Sequence, residues 1–315
     1  MSKVYRAVLL GLVVCLLCVL SLFVGGTGST GPLRVGVFAD LHAHDSNNPL
    51  ERLVMVHYRE RLGACVDAMN AWPADLMIQL GDYVNGTFVL GADPGDPARI
   101  PSILEDAEAI YAQFDGPRYH VIGNHDVQDL SKQEFLARVP MTETYYSFDA
   151  GSYHFVVLDA QYNRKAEDCS HVFYVVQGNI PSFQLDWLRE NLESTDRPTI
   201  VCVHQRLDVE YDLRSGGPEI YNALEARALL EESGKVIAVF QGHDHDGAYS
   251  QIGDIHYVTF RALIDRAEPT PPSWAAVTLD TIGRTITHRR SRRASRSTPR
   301  ILNAETRREV RTNVL

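Results

Sequence analysis

After Gly31-Pro32 the chain alternates short apolar runs with longer stretches of helical periodicity, and no internal repeat interrupts the pattern. Leu33 to Ala39, Leu76 to Leu80, Tyr119 to Ile122, Thr199 to Val203 and Val236 to Phe240 read as buried strands. Arg52 to Trp72, Ile103 to Phe114, Phe183 to Leu192 and Glu219 to Glu232 read as helices. Tyr145 to Phe148 and His154 to Leu158 read as a strand pair around the turn Asp149-Ala150-Gly151-Ser152, and several short strands run from Tyr249 to Thr287. Strands and helices in alternation bury their apolar faces by layering, so the expectation is one α/β domain with helices covering the sheets.

Ligands in α/β folds gather where strands end at their carboxyl side. In this chain those ends are Asp40-Leu41-His42, Gly81-Asp82, Gly123-Asn124-His125-Asp126, His204 and Gly242-His243-Asp244-His245. Each alone has a plain structural reading. Gly-Asp is a common turn, Asn and Asp cap helices, and a histidine on a core strand is usually hydrogen-bonded. Together they put carboxylates, an amide and imidazoles at all five strand ends, which accident does not supply. In an extended chain alternate residues point the same way, so His243 and His245 can converge. Hydrolysis by two metals needs this inventory: a carboxylate to bridge the pair, separate ligands to complete each ion, and a further group to protonate the leaving oxygen.

The ordered set Asp40-x-His42, Gly81-Asp82, Gly123-Asn124-His125-Asp126, His204 and Gly242-His243-x-His245 resembles the calcineurin-like metallophosphoesterase superfamily. The resemblance spans about residues 33 to 265 and implies a β-sandwich flanked by helices, in four layers α/β/β/α. It implies two divalent cations (Mn, Fe or Zn), one held by Asp40, His42, Asp82 and His245, the other by Asp82, Asn124, His204 and His243. Asp82 would bridge, and His125 would act as general acid or phosphate-orienting group with Asp126 positioning it. The segments HYRERLGACVDAMNAW (57–72), YYSFDAGSYHFVVLDA (145–160), FQLDWLRENL (183–192), YNALEARALLEE (221–232), GHDHDGAY (242–249) and STPRILN (297–303) resemble the manganese-dependent ADP-ribose/CDP-alcohol diphosphatases. Those proteins carry Gln where this chain has His42, and they have no export segment. Purple acid phosphatases have Tyr three residues after the bridging Asp, a position held here by Asn85.

The implied activity is hydrolysis of a phosphodiester or pyrophosphate bond in a small, nucleotide-linked molecule. A phosphomonoesterase on the same scaffold is the alternative. A non-catalytic, metal-stabilised surface protein is a third reading, and it would have no use for His125-Asp126. The irregular segment between Ala160 and Asn179 is long enough to shape specificity. The net charge of −10 is unevenly spread. From Arg284 onward ten Arg and two Glu give +8, so the rest of the chain carries −18. A body this acidic excludes general nucleic-acid binding, and an anionic substrate would need bound cations to reverse the local field.

Lys3 and Arg6 precede 18 uncharged residues, Ala7 to Val24, a helix of roughly 27 Å if continuous. Residues 1–31 are expected to be a signal peptide or membrane anchor with a short linker, cleaved or not at the small residues Gly25 to Gly28. Either places the catalytic domain, residues 32–288, outside the cytoplasm. Residues 289–315 form a basic tail, read as solvated, as a contact for an anionic surface, or as folding back through Arg300. Cys65, Cys169 and Cys202 form no disulfide pattern and read as buried or free thiols.

Overall fold

A computed structural model of the chain describes residues 31–47, 55–87, 96–172, 177–209, 220–264 and 273–280, with the backbone alone of 285–290 and 309–312. The apolar run at 7–24 and most of the Arg-rich tail lie outside these residues. Among the described residues no helix is long and apolar enough to cross a membrane.

The chain order is β1 (Leu33–Phe38), α1 (Tyr58–Ala71), β2 (Leu76–Leu80), α2 (Ile100–Tyr111), β3 (Arg118–Val121), α3 (Lys132–Leu136), β4 (Tyr146–Ala150) and β5 (Tyr153–Val157). It continues with α4 (Ser182–Glu193), β6 (Thr199–Val203), α5 (Ala223–Ser233), β7 (Val236–Gln241), β8 (Ala248–Ile252), β9 (Ile255–Thr259), β10 (Ala275–Leu279), β11 (Thr285–Arg290) and β12 (Glu309–Thr312). Two six-stranded sheets result, ordered β12-β11-β10-β1-β2-β3 and β4-β5-β6-β7-β9-β8. The strands that end in candidate ligands run parallel within each sheet: β1, β2 and β3 in the first, β6 and β7 in the second.

The period of two along each strand assigns its faces. Val35, Val37, Leu76, Ile78 and Leu80 meet Phe155, Val157, Ile200, Cys202, Ala238 and Phe240 in a core between the sheets. Residues one step out of phase, Phe38 and Met77, pack instead on Leu62, Met69, Leu104 and Ala107 of α1 and α2. On the other side Val156, Val201, Val203 and Val239 pack on Leu185, Leu188, Ala226 and Leu230 of α4 and α5. The layers are therefore α/β/β/α, as the resemblance implied. Cys65, Cys169 and Cys202 are free and buried.

Three local differences from the sequence reading have physical causes. The β4–β5 pair is in register from Tyr146↔Val157 to Ala150↔Tyr153, so only Gly151 and Ser152 form the turn. Gly151 takes φ of 56°, the left-handed conformation that two-residue hairpin turns require, and the strand extends to meet it. Helix α2 starts at Ile100 rather than Ile103 because a single 3₁₀ turn, Pro97–Arg99, capped by the Asp96 side chain, feeds it. Helix α3 was not expected. A reciprocal capping box between Ser131 and Glu134 starts it, a Ser-x-x-Glu signature present in the sequence.

Lys132, in α3, is buried, and its Nζ lies 2.7 Å from Oδ2 of the fully buried Asp159 just after β5. The same ammonium sits 3.3 Å from the centroid of the Tyr162 ring, so one cation clips α3 to the start of the irregular segment. Removing one partner strands the other charge in the interior. Lys132→Met is expected to destabilise the fold by about 3–5 kcal/mol in chemical denaturation. Lys132→Met combined with Asp159→Leu should recover much of that loss; a double variant no more stable than the single one would refute the account.

Candidate metal centre

All seven candidate ligands and His125 come together at the carboxyl ends of the strands. Asp40 and His42 follow β1, Asp82 follows β2, and Asn124 and His125 follow β3. His204 follows β6, while His243 and His245 follow β7. The site is thus built jointly by both sheets. To turn so sharply off their strands, Asp40, His42, Asp82 and His243 adopt φ of 53°, 47°, 51° and 68°. Among the described residues only two other non-glycines, Ala166 and His171, have positive φ. Such conformations cost about 1–3 kcal/mol each and persist where the surroundings over-determine them. Here the loops are stitched by backbone bonds. His42 N donates to Asp82 O at 2.9 Å, Asp40 N to Gly81 O at 3.0 Å, Ile264 N to Asp40 O at 3.1 Å and Gly242 N to His204 O at 2.9 Å.

Three groups of side chains bring ligand atoms within 4.8 Å of one another: Asp40, His42 and His245; Asp82, His204 and His243; and His42, Asp82 and His125. Asp82 Oδ2 lies 3.1 Å from His204 Nε2 in its own group and 3.6 Å from His42 Nε2 in the first. Asn124 Oδ1 lies 3.2 Å from His204 Nε2. Asp82 Oδ1 also accepts the His125 amide at 2.8 Å, which fixes the carboxylate plane. Gly123 makes this approach possible, because a β-carbon there would stand 2.2 Å from both the amide nitrogen and Oδ1 of Asp82.

The outer hydrogen bonds decide which way the lone pairs face. His204 Nδ1 faces the Leu80 carbonyl at 2.8 Å, and a carbonyl only accepts, so Nδ1 carries the proton. Asn85 donates its amide to Gly86 O at 2.7 Å, which leaves its Oδ1 to accept from His42 Nδ1 at 2.8 Å. In the neutral rings both Nε2 lone pairs then point inward. His42 Nε2 is 3.0 Å from His245 Nε2, and His243 Nδ1 is 3.1 Å from His204 Nε2. Carboxylate oxygens, an amide oxygen and imidazole lone pairs crowd one buried volume, and a cation relieves that arrangement best. This donor set fits divalent metal ions.

Proton affinities follow the same logic. Burial opposes a charge on His204, but Asp82 beside it prevails and raises its pKa to about 9. Burial likewise opposes the Asp82 charge, yet His204, His125 and His42 hold that carboxyl well below its ordinary range. Asp40, desolvated and near Asp82, is pushed well above the usual carboxylate value despite His204. Burial lowers His125 to about 4 and His243 to about 3.

Asp126 does not do what the resemblance implied. Its Oδ1 accepts the amides of Tyr83 and Val84 at 2.8 and 2.9 Å, and its Oδ2 accepts the amide of Gly123 at 2.8 Å. Both oxygens thus accept from the backbone, tying the β2 loop to the β3 loop, and neither bonds His125 Nδ1. Burial and the Asp82 charge push the Asp126 pKa up to about 7.

Two further supports were not read from the sequence. Asn85 fixes His42, as above. Arg206 pairs with both oxygens of Asp208 at 3.0 and 2.9 Å and with Asp244 Oδ2 at 2.8 Å. Asp208 also accepts from Gln241 at 2.7 Å and from Ser250 at 2.7 Å. The Arg206 network so joins the loop of His204 to the loop of His243 and His245. The only hint in the sequence is a charge two residues beyond one ligand and another between two ligands.

Comparison with known proteins agrees with this geometry. A manganese-dependent ADP-ribose/CDP-alcohol diphosphatase of Oryza sativa subsp. japonica is 26% identical over 287 residues, spanning 76% of this chain and 85% of its own. The Homo sapiens protein of that name is 24% identical over 268 residues, spanning 67% of this chain and 76% of its own. Among solved structures, a dimetal phosphatase from Danio rerio superposes with a TM-score of 0.62 at 19% identity, covering 79% of this chain and 95% of that one. The family described as calcineurin-like phosphoesterase matches residues 33–247, from β1 to the loop bearing both His243 and His245, and the chain belongs to it.

Proposed function

We propose that this metal-dependent hydrolase cleaves the diphosphate linkage of a small nucleotide-linked substrate, with Asp82 bridging two divalent cations. One would be held by Asp40, His42, Asp82 and His245, the other by Asp82, Asn124, His204 and His243. The observation that carries this reading is the position of Asp82 Oδ2 within 3.1 Å of His204 Nε2 and 3.6 Å of His42 Nε2. The relatives named as ADP-ribose/CDP-alcohol diphosphatases, aligned over most of their own length, support a diphosphate as substrate. When bound, the cations polarise a phosphoryl oxygen and lower the pKa of a water.

The chain's own residues supply the rest. The buried carboxylates and the fixed tautomers of His42 and His204 present preformed ligands, so little reorganisation opposes loading. Asp126 and the amides of Tyr83, Val84 and Gly123 lock the loop on which the bridge stands. His125 stands beside the two ligand groups, with its ring 4.7 Å from that of His42. Burial holds its proton affinity down, so it carries the proton it gives to the departing oxygen only when the charge of the substrate phosphate is beside it. The same reading puts the domain outside the cytoplasm, tethered or released, on the strength of Lys3 and Arg6 ahead of the uncharged run 7–24.

Asp82→Asn is expected to lose bound metal and turnover together, because a neutral amide cannot balance two dications; two metals per chain by elemental analysis with full activity would overturn the bridge. In a panel of ADP-ribose, CDP-alcohols, a phosphodiester and a phosphomonoester, tested with Mn, Fe and Zn, the diphosphates should give the highest kcat/KM. A preference for the monoester would favour the alternative activity. A topology reporter fused after Gly31 should read outside the cytoplasm, and Leu16→Arg with Leu17→Arg should block export, each charge costing about 2.5–3.5 kcal/mol at a helix centre. Cytoplasmic signal from the unaltered fusion would sink the exported reading.

A further inference from the structure

His125 Nδ1 is buried and makes no well-formed hydrogen bond in the structure. Asp126, its neighbour in the chain, accepts three backbone amides and does not bond Nδ1. Asn85 is committed to His42. Oε1 of Gln128, three residues along the chain, is likewise buried and makes no hydrogen bond. The two residues belong to one turn, closed by Gln128 N donating to His125 O at 3.3 Å, which brings their side chains to the same side. The Gln128 amide is set in place by Gly86, where a β-carbon would stand 2.2 Å from Oε1 and 2.4 Å from Cβ of Gln128.

We infer that Gln128, seated on Gly86, is the positioning residue for His125: its side-chain oxygen accepts from Nδ1–H and turns Nε2 toward the substrate. A bare carbonyl oxygen can meet Nδ1 only when that nitrogen carries a proton. The proton delivered to the leaving group is then the one on Nε2, and the ring keeps its Nδ1 proton throughout. A buried N–H and a buried carbonyl oxygen on one turn each avoid the cost of an unmade hydrogen bond once they pair, and catalytic hydrogen bonds commonly tighten in the substrate complex.

The inference rests on the proposed acid role of His125, so the experiment carries both. Substrates with a good leaving group (a nitrophenyl ester) and a poor one (an alkyl ester) are compared in wild type, His125→Ala, Gln128→Met, Gln128→Glu and Gly86→Ala, at matched metal content. His125→Ala should lower kcat by about 10²–10⁴-fold for the poor leaving group and much less for the good one. Equal losses for both would remove the acid role itself. Given that result, Gln128→Met, which keeps length but not the acceptor, should lower kcat for the poor leaving group about tenfold with KM unchanged, the worth of one hydrogen bond. Gln128→Glu should restore most of it, and Gly86→Ala, which displaces the amide, should mimic Gln128→Met. Long-range ¹H–¹⁵N NMR of the metal-free protein should show the Nδ1–H tautomer of His125 in wild type and its loss in Gln128→Met. An unchanged tautomer, or Gln128→Met losses equal for both leaving groups, would overturn the assignment to Gln128 while leaving that of His125 intact.

Discussion

Everything at the centre depends on one close approach, that of Asp82 on the first sheet to His204 on the second. Oδ2 and Nε2 are 3.1 Å apart, both groups are buried, and each is oriented from behind. The Leu80 carbonyl holds the far nitrogen of His204, and the His125 amide holds the other oxygen of Asp82. For this contact to form, the two sheets must stack with their parallel strands ending at the same level. The core between them, from Val35 and Ile78 to Ile200 and Phe240, sets that alignment. Packing in the sandwich interior and ligand geometry at its rim are therefore one constraint. A cavity between the sheets would be felt as a displaced imidazole.

The strained backbone belongs to the same constraint. Four ligand-bearing positions are left-handed, where no glycine eases the conformation. A parallel strand leaves its sheet pointing away from its neighbour, and only a sharp turn returns the side chain toward the next strand end. The stabilising term is the stitching between loops, with Ala43 N donating to Tyr83 O at 3.1 Å and Asn85 N to Ala43 O at 3.1 Å. The three amides gathered by Asp126 add to it. Asp126 is structural here in a specific sense: it holds in place the turn that aims Asp82.

How far the sequence disclosed this follows from the kind of information each part needs. The ligands were legible because strand ends announce themselves: an apolar run of period two stops, and His, Asp or Asn follows. The layers were legible for the same reason, since each strand's two faces can be counted. The supports were not. Asp126 sits next to His125 in the chain, and adjacency suggested a pairing that the turn denies by pointing the carboxylate at backbone 43 residues earlier. Arg206 and Asp244 are 38 residues apart and meet only after β6 and β7 pair. Gln128 carries no charge and no motif marks it. Its significance comes from two buried atoms left without partners, which only coordinates reveal. The capping box at Ser131 is the opposite case, a local signature that sequence reasoning could have used.

The donor set at the strand ends shows why this rim suits cations. His42 Nε2 and His245 Nε2 stand 3.0 Å apart, and with the His42 proton given to Asn85 that nitrogen offers a lone pair. Asp40 and Asp82 lie in the same desolvated space, which is why Asp40 is driven toward its neutral form. Asp82 likewise favours a positive charge at His204. Divalent cations held by these residues would satisfy carboxylates and lone pairs at once. Binding to the folded state alone also stabilises that state, and because ligands come from both sheets the gain falls on the contact between them. The Arg206 network ties the two histidine-bearing loops of the second sheet to each other and so adds to the same preorganisation.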